Sequence, residues 1–200
     1  MRVKTDARRQ AIIDAATEVF RETGFERASM AAISARVGGS KATLYSYFKS
    51  KEELFAAAIL DAVDADAEPV VALLQSSNDD LPTLLRQIGH GFTELIRLPQ
   101  SLAITRIAVA EAANQELGTL LYERGPRRAV DLMAGFIARL IGEGRIRQVD
   151  PQIAALHLKA LLSAGIHEPM LFGAPPELDV DQCVDAAIDA FLRVYATPSA

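Results

Sequence analysis

The sequence predicts an all-α protein made of a small N-terminal helix-turn-helix unit and a larger helical body. Hydrophobic residues recur at helical spacing along most of the chain, and a glycine turn joins two short helical segments near the N-terminus. Charge is divided unevenly as well. Residues 1–51 hold ten Lys and Arg against five Asp and Glu, whereas residues 52–200 hold eleven against twenty-one. A basic head on an acidic body is typical of a DNA-binding protein with a separate sensing domain.

Composition limits the class of protein further. The chain has 200 residues, of which 50% are hydrophobic and 24% are charged, as in ordinary globular proteins. No apolar run approaches the roughly 18 residues of a membrane span, and the first residues lack the apolar core of a signal peptide. Cys183 is the single cysteine, which excludes an internal disulfide and fits a reducing compartment. We therefore expect a cytoplasmic protein with domains 1–50 and 51–200.

Residues 29–48 form the predicted helix-turn-helix motif. Ser29 is suited to cap the first helix, because its hydroxyl can accept from the free N–H groups of the first turn. The pair Gly38–Gly39 can adopt the positive φ that a tight turn between helices requires. Ser40 then caps a second helix of about two turns. Two helices joined by so short a turn are the pattern of a helix-turn-helix motif.

The outer face of the second helix indicates what the motif binds. Leu44 and Phe48 share the inner face, and small, hydroxyl-bearing and aromatic residues without any acid share the outer one. Hydroxyls and lysine suit phosphate oxygens, and small residues let a helix enter a major groove, with Ala42 and Ser46 near base edges. The alternative is a connector helix with exposed tyrosines. The predicted DNA-binding residues are Ser29, Ser40, Lys41, Ala42, Thr43, Tyr45, Ser46, Tyr47 and Lys51.

Residues 38–54 resemble the recognition-helix signature of TetR/AcrR-type transcriptional regulators, and residues 12–25 resemble the first helix of that family. The resemblance is dense over roughly residues 6–60. A second resemblance, over residues 99–173 and including 122–128, is to the AefR-type C-terminal domain of some members. The family resemblance implies that a small molecule in the C-terminal domain changes the angle of a bridging helix, and with it the separation of two DNA-binding heads.

The body is predicted to open with a long helix from Lys51 to Gln75. Two C-terminal helices, at about 151–172 and 179–195, have more apolar surface than one chain can bury. They predict a C2 four-helix interface between two copies of the chain. Between these elements the periodicity predicts helices at 81–98, 100–113 and 114–125, and a further helix that begins at Pro126.

A ligand cavity is predicted in the body, around a helix that is apolar nearly all round. Arg106 lies in this helix, where it either pairs with an acid such as Glu111 or orients an anionic or polar ligand. Methionine and aromatic side chains of the later helices suit a core, and also the yielding wall of a pocket. The candidate pocket residues are Leu102, Thr105, Arg106, Val109, Tyr122, Met133, Phe136 and His157.

No catalytic or cofactor-binding motif is evident, so we expect neither an enzyme nor a cofactor. Three histidines and Cys183 lack the spacing of metal ligands, so no metal site is expected. The features together predict a homodimeric repressor that a small-molecule effector releases from a near-palindromic DNA operator, without a membrane partner. Three alternatives remain: a ligand-independent DNA-binding regulator or activator, a helical enzyme or carrier, and a protein-interaction module that uses the apolar faces assigned to dimerisation.

Overall fold

The structure, a computed structural model, describes residues 6–76, 80–110 and 115–197. In these ranges the chain is helical apart from turns, loops and an isolated bridge between Ile146 and Ala196, so the all-α prediction is confirmed. No helix there is long and apolar enough to span a bilayer. The helices are α1 (Asp6–Arg27), α2 (Met30–Val37), α3 (Lys41–Tyr47), α4 (Lys51–Gln75), α5 (Leu81–Arg97), α6 (Pro99–Ala110), α7 (Gln115–Tyr122), α8 (Arg128–Gly142), α9 (Pro151–Ser163), α10 (His167–Leu171) and α11 (Val180–Tyr195).

The chain divides into two compact units, and the division falls inside α4, between Ala62 and Val63. The predicted division between residues 50 and 51 lies at the start of that helix. The opening turns of α4 belong to the N-terminal unit because they help to build its core. Leu54 and Phe55 are buried there, and the Phe55 ring lies edge-on to Phe20 of α1, with ring centres 4.9 Å apart.

The core of the N-terminal unit fixes the orientation of α3. Ile12 and Ala16 of α1, Ile33 of α2, and Leu44 and Phe48 at α3 are each at most 2% exposed. Burial of large apolar side chains contributes roughly 1.5–3 kcal/mol each, so α3 is held firmly by its inner face. Its opposite face is left free for another partner.

The C-terminal unit packs α5, α8, α9 and α11 around one hydrophobic core. Leu85, Ile88, Ile137, Leu158 and Ile188 lie at its centre, each fully buried. Helices α5 and α11 approach closely at Gly89, where an added Cβ would stand 2.9 Å from Val184 Cγ1. Helices α6 and α10 pack against α5, and α7 packs against α6.

The single helix predicted over 151–172 is wrong, because the structure divides it. Helix α9 ends at Ser163, Gly165 takes a φ of 68°, and α10 begins at His167. The Gly165 carbonyl accepts a hydrogen bond from Glu177 N at 2.7 Å, which a continuous helix would not allow. A glycine at positive φ ends a helix at little cost, whereas most other residues are strained there.

The helix predicted to begin at Pro126 is also wrong. Residues 123–127 form a π-helical segment that joins α7 directly to α8, with Pro126 inside it. Proline lacks the N–H that an α-helical ladder would use at that position, and a wider turn accommodates the missing hydrogen bond. This segment places Arg124 and Arg128 beside α4, where both lie near Asp64.

Candidate nucleic-acid interface and effector cavity

The turn between α2 and α3 is held by a compact set of hydrogen bonds. Gly38 ends α2 with φ 68° and ψ 43°, and its N–H donates to the carbonyls of Ser34 and Ala35. The buried Ser34 hydroxyl donates to the Gly39 carbonyl at 2.8 Å, and Gly39 N donates back to the Ser34 carbonyl at 3.2 Å. The turn is therefore closed from both sides.

The two serines predicted to contact DNA are also the N-caps of α2 and α3. Ser29 Oγ accepts from Ala32 N at 3.2 Å, and Ser40 Oγ accepts from Thr43 N at 3.1 Å. Both side chains are exposed. Such caps typically contribute about 1 kcal/mol to helix stability. Their first role here is to hold the motif, and a second role toward phosphate is compatible with their exposure.

The outer face of α3 has the chemistry that the sequence predicts. Ala42 and Ser46 are exposed, Tyr45 is 44% exposed, and Tyr47 is half-buried. Helix α3 carries no acidic residue in its sequence. The Lys41 ammonium lies 5.9 Å from the centre of the Tyr45 ring, a cation–π contact that keeps the charge on this face.

Lys51 differs from the expectation that it faces a phosphate. Its Nζ donates to the Phe25 carbonyl at 3.0 Å and lies 4.2 Å from the centre of the Phe25 ring. These contacts explain a lysine in the first turn of α4 without any phosphate. Lys51 thus has a structural partner inside the N-terminal unit, although its charge still adds to the basic surface.

Two arginines of α1 add positive charge next to the turn. The Arg8 guanidinium lies against Gly39, where an added Cβ would stand 2.7 Å from its Nη2. The Arg9 guanidinium lies 5.2 Å from the centre of the Phe48 ring. In contrast, Arg36 is held by Glu22 in a two-point ion pair of 2.7 and 2.8 Å, which lowers the pKa of Glu22. Arg8 and Arg9 were not among the predicted site residues.

The C-terminal unit contains a cavity of about 170 Å³. Side chains from α4, α5, α6, α8, α9 and α10 and from the π-helical segment line it. The wall is mainly apolar and includes Val71, Phe92, Ile96, Ile104 and Leu132. A cavity of about 150 Å³ is enough to admit benzene, so this one is large enough for an organic ligand.

One part of the cavity wall is an ion-pair cluster. Asp64 of α4 contacts Arg128 at the start of α8, and Arg124 Nη2 lies 3.7 Å from Asp64 Oδ2. All three side chains line the cavity. Asp64 lies on α4, Arg124 lies in the π-helical segment and Arg128 is the first residue of α8. The cluster therefore connects α4 to the start of α8.

Three further polar side chains line the cavity without a complete set of partners. Ser101 Oγ and His167 Nδ1 are buried and have no hydrogen-bond partner among the described residues, and Lys159 is half-buried. Burial lowers the pKa of both Lys159 and His167. A hydrogen bond to the Ile96 backbone partly offsets this effect for His167. Buried polar groups are normally paired, so these are candidates for contact with a ligand.

Two family models match the chain. Residues 12–58 match the model of bacterial regulatory proteins of the tetR family, and residues 83–197 match the C-terminal domain of AefR-like transcriptional repressors. The chain belongs to the TetR family. Both resemblances inferred from the sequence are therefore confirmed, and the protein is a transcriptional regulator rather than an enzyme.

Relatives of this TetR-family chain include both a named activator and a named repressor. It is 38% identical over 79 residues to the transcriptional activator FasR of Mycolicibacterium smegmatis, covering 40% of this chain and 36% of FasR. It is 33% identical over 95 residues to the nicotine-responsive transcriptional repressor HdnoR of Paenarthrobacter nicotinovorans, covering 48% of this chain and 46% of HdnoR. The chain thus spans less than half the length of each of these relatives.

A crystal structure assigned to the same family agrees with the fold over the whole chain. It comes from Mesorhizobium loti MAFF303099 and superposes with a TM-score of 0.80 at 26% sequence identity. The match covers 98% of this chain and 100% of that one. The all-α fold is therefore one that a TetR-family regulator shares.

The cavity of this TetR-family regulator has different walls from those predicted. Of the predicted pocket residues, Thr105 lines it. Leu102, Met133 and Phe136 do not line the cavity. Each is at most 7% exposed, because it is buried within the protein. Val109 and Tyr122 are 69% and 54% exposed and do not reach it either.

The remaining two predicted pocket residues have partners away from the cavity. Arg106 is exposed, and it donates to the carbonyls of Leu171 at 2.9 Å and Met170 at 2.6 Å. It therefore caps the end of α10 and does not line the cavity, while Glu111, the acid proposed for it, lies outside the described residues. His157 Nδ1 shares a short hydrogen bond with the Tyr195 hydroxyl, which turns the ring away from the cavity.

Sequence reasoning predicted Thr105 but missed the other polar residues that line the cavity, although a signal for some was present. Lys159 is the one Lys or Arg in α9, a helix otherwise rich in Ala and Leu. Ser101 and Thr105 lie four residues apart on the mainly apolar α6, and so share one face. A polar residue that interrupts an apolar helix indicates either a polar partner or a cavity. Asp64 gave no such signal.

The lowered pKa of His167 predicts a pH-dependent stability. Because the folded chain binds this proton less readily than the unfolded chain, His167 lowers the free energy of unfolding as the pH falls through the ordinary histidine range. Urea unfolding at about pH 7.5 and about pH 5.5 should therefore show a smaller loss of stability for His167→Gln than for the unmodified chain.

A matched control for this measurement is His90→Gln, since His90 is 42% exposed and faces Asp181 at 3.7 Å. It should keep most of the acid-induced loss. If His167→Gln and the unmodified chain lost stability equally, burial of His167 would not contribute to the pH dependence.

Proposed function

We propose that the protein is a homodimeric transcriptional repressor that a small-molecule effector releases from a near-palindromic operator. The observation that carries the proposal is the acid-free outer face of α3, exposed beside a turn flanked by Arg8 and Arg9. A surface helix usually carries acids as well as bases, whereas a face without acids avoids repulsion between carboxylates and the phosphates of a duplex. A regulator of this kind acts where the DNA is, in the cytoplasm.

Each exposed residue of α3 has a proposed role toward the duplex. Ala42 and Ser46 approach base edges in the major groove, since both are small and exposed. Lys41 and the hydroxyls of Thr43, Tyr45 and Tyr47 contact phosphates, as do the caps Ser29 and Ser40. Lys51 acts through its charge, because its ammonium already donates to Phe25. Two motifs in a dimer meet half-sites about 34 Å apart, or slightly more.

The surface proposed for dimerisation lies on α9 and α11. Ile153 and Leu156 of α9 are each 51% exposed, and so is Val194 of α11. Exposed aliphatic residues on two adjacent helices are typical of a surface that a second copy covers. Two such helices from each chain form a four-helix interface with two-fold symmetry.

The effector is proposed to act through α4. Val63, Ala67 and Val71 of this helix line the cavity, and Phe55 of the same helix is buried in the core of the N-terminal unit. A ligand that displaces the second half of α4 therefore acts on the helix that directly follows the DNA-binding motif in the chain. A coupling of about 1–3 kcal/mol is enough to change operator affinity 5- to 150-fold.

A ligand-independent regulator or an activator is the second candidate, supported by the activator FasR among the relatives. Fluorescence anisotropy on duplexes from the region upstream of the regulator's own gene separates the candidates. Addition of a library of small organic compounds should release the duplex in at least one case. Binding that no compound changes would favour the second candidate, and failure to bind any of these duplexes more tightly than unrelated DNA would contradict both.

A further inference from the structure

The charged residues that line the cavity are mainly basic. Arg124, Arg128 and Lys159 stand against the single carboxylate of Asp64. Asp64 is already shared between the two arginines. The cavity wall therefore has an excess of positive charge, which favours an anionic ligand over a neutral or cationic one.

Lys159 has no counter-ion within the part of the chain that the structure describes. The side chain is half-buried in the cavity wall, and no ion pair joins its Nζ to any acidic side chain that the structure describes. Withdrawing an ammonium group from water without a partner is costly. A ligand anion would supply the missing partner and remove that cost.

Two unpartnered polar atoms belong to other side chains of the same wall. Ser101 is only 8% exposed, and its Oγ has no hydrogen-bond partner in the part of the chain that the structure describes. A serine hydroxyl can donate to an anionic oxygen. His167 Nδ1 is also buried and has no partner within residues 6–76, 80–110 and 115–197. It accepts a hydrogen bond when the ring is neutral or donates one when the ring is protonated. The wall therefore offers an ammonium, a hydroxyl and an imidazole to one ligand.

We propose that the effector is an organic carboxylate with a compact apolar body. Its carboxylate binds Lys159 and Ser101, and its body packs against Phe92, Ile104 and Leu132. A monoanion with two oxygens suits this small set of donors better than a phosphate, which needs more of them. This inference rests on the proposed function of the cavity as the effector site.

Two probes that share an apolar body, one with a carboxylate and one with a neutral hydroxyl, test the inference on the whole chain without DNA. Isothermal titration calorimetry should show 3-phenylpropanoate binding about ten-fold or more tightly than 3-phenylpropan-1-ol, because a hydrogen bond to a charged group is worth that much. Lys159→Met should lower the affinity for the acid about ten-fold and leave that for the alcohol within about two-fold. Ser101→Ala should weaken binding of the acid more than binding of the alcohol.

Two further variants distinguish loss of the Lys159 charge from a general effect of substitution on folding. Lys159→Arg keeps the charge and should retain most of the affinity for the acid, while Arg21→Gln removes an exposed charge of α1 and should change nothing. Equal binding of acid and alcohol, no effect of Lys159→Met on the acid, or binding of neither probe would overturn the inference. Acid that binds through Lys159 without releasing operator DNA would leave the inference standing and contradict the effector-release part of the proposed function.

Discussion

Ala42→Glu is expected to abolish specific DNA binding while leaving the protein folded. Ala42 is exposed on the outer face of α3, so a longer side chain meets no neighbour in the free protein. In the complex the new carboxylate would face phosphates and base edges instead of a methyl group. Loss of one base contact and repulsion from phosphate together predict a decrease in affinity of about 100-fold, measured by fluorescence anisotropy.

A matched variant separates the position of the charge from its sign. Ala11→Glu also places a glutamate on an exposed alanine of the N-terminal unit, on the face of α1 that carries Asp14 and Glu18. It should weaken binding only slightly, through the change in net charge. Equal losses for Ala42→Glu and Ala11→Glu would mean that α3 does not enter the groove.

Leu156→Glu is expected to convert the dimer into a monomer. The side chain is 51% exposed on α9, so the variant monomer should fold normally. At an interface with two-fold symmetry the substitution introduces two like charges that must lose water without a partner. Sedimentation velocity should show a monomer, and affinity for a two-half-site operator should fall about 100-fold because the two heads no longer bind as one unit.

Val109→Glu provides the control for this change. Val109 of α6 is 69% exposed and lies outside the surface proposed for dimerisation. This variant should remain dimeric and keep its operator affinity. A dimer that survives Leu156→Glu but not Val109→Glu would move the interface from α9 and α11 to α6.

The helix-turn-helix motif could be predicted from the sequence because its determinants are local. Ser29 and Ser40 each accept a hydrogen bond from the backbone N–H three residues later, and so cap the helix that follows. Gly38 ends α2 at a positive φ. Leu44 and Phe48 are buried four residues apart on one face of α3. Lys51 was the exception, because its partner Phe25 lies twenty-six residues away and no local rule connects the two.

The cavity of the C-terminal unit could not be predicted in the same way because residues from distant helices form it. Its walls depend on the break at Gly165, which places His167 on a separate short helix, and on the π-helical segment that carries Arg124. Periodicity predicted that Met133 belongs either to the core or to the wall of a pocket, but it could not distinguish between the two. In the structure Met133 is buried in the core.

The most direct test of the proposed DNA interface is selection of bound duplexes from a random pool by the purified protein. An inverted repeat with half-site centres about one helical turn apart, or slightly more, is expected to be enriched. Ala42→Glu should fail to enrich it. No enriched sequence with the unmodified protein, or the same sequence enriched by Ala42→Glu, would contradict the assignment of α3 as the helix that binds DNA.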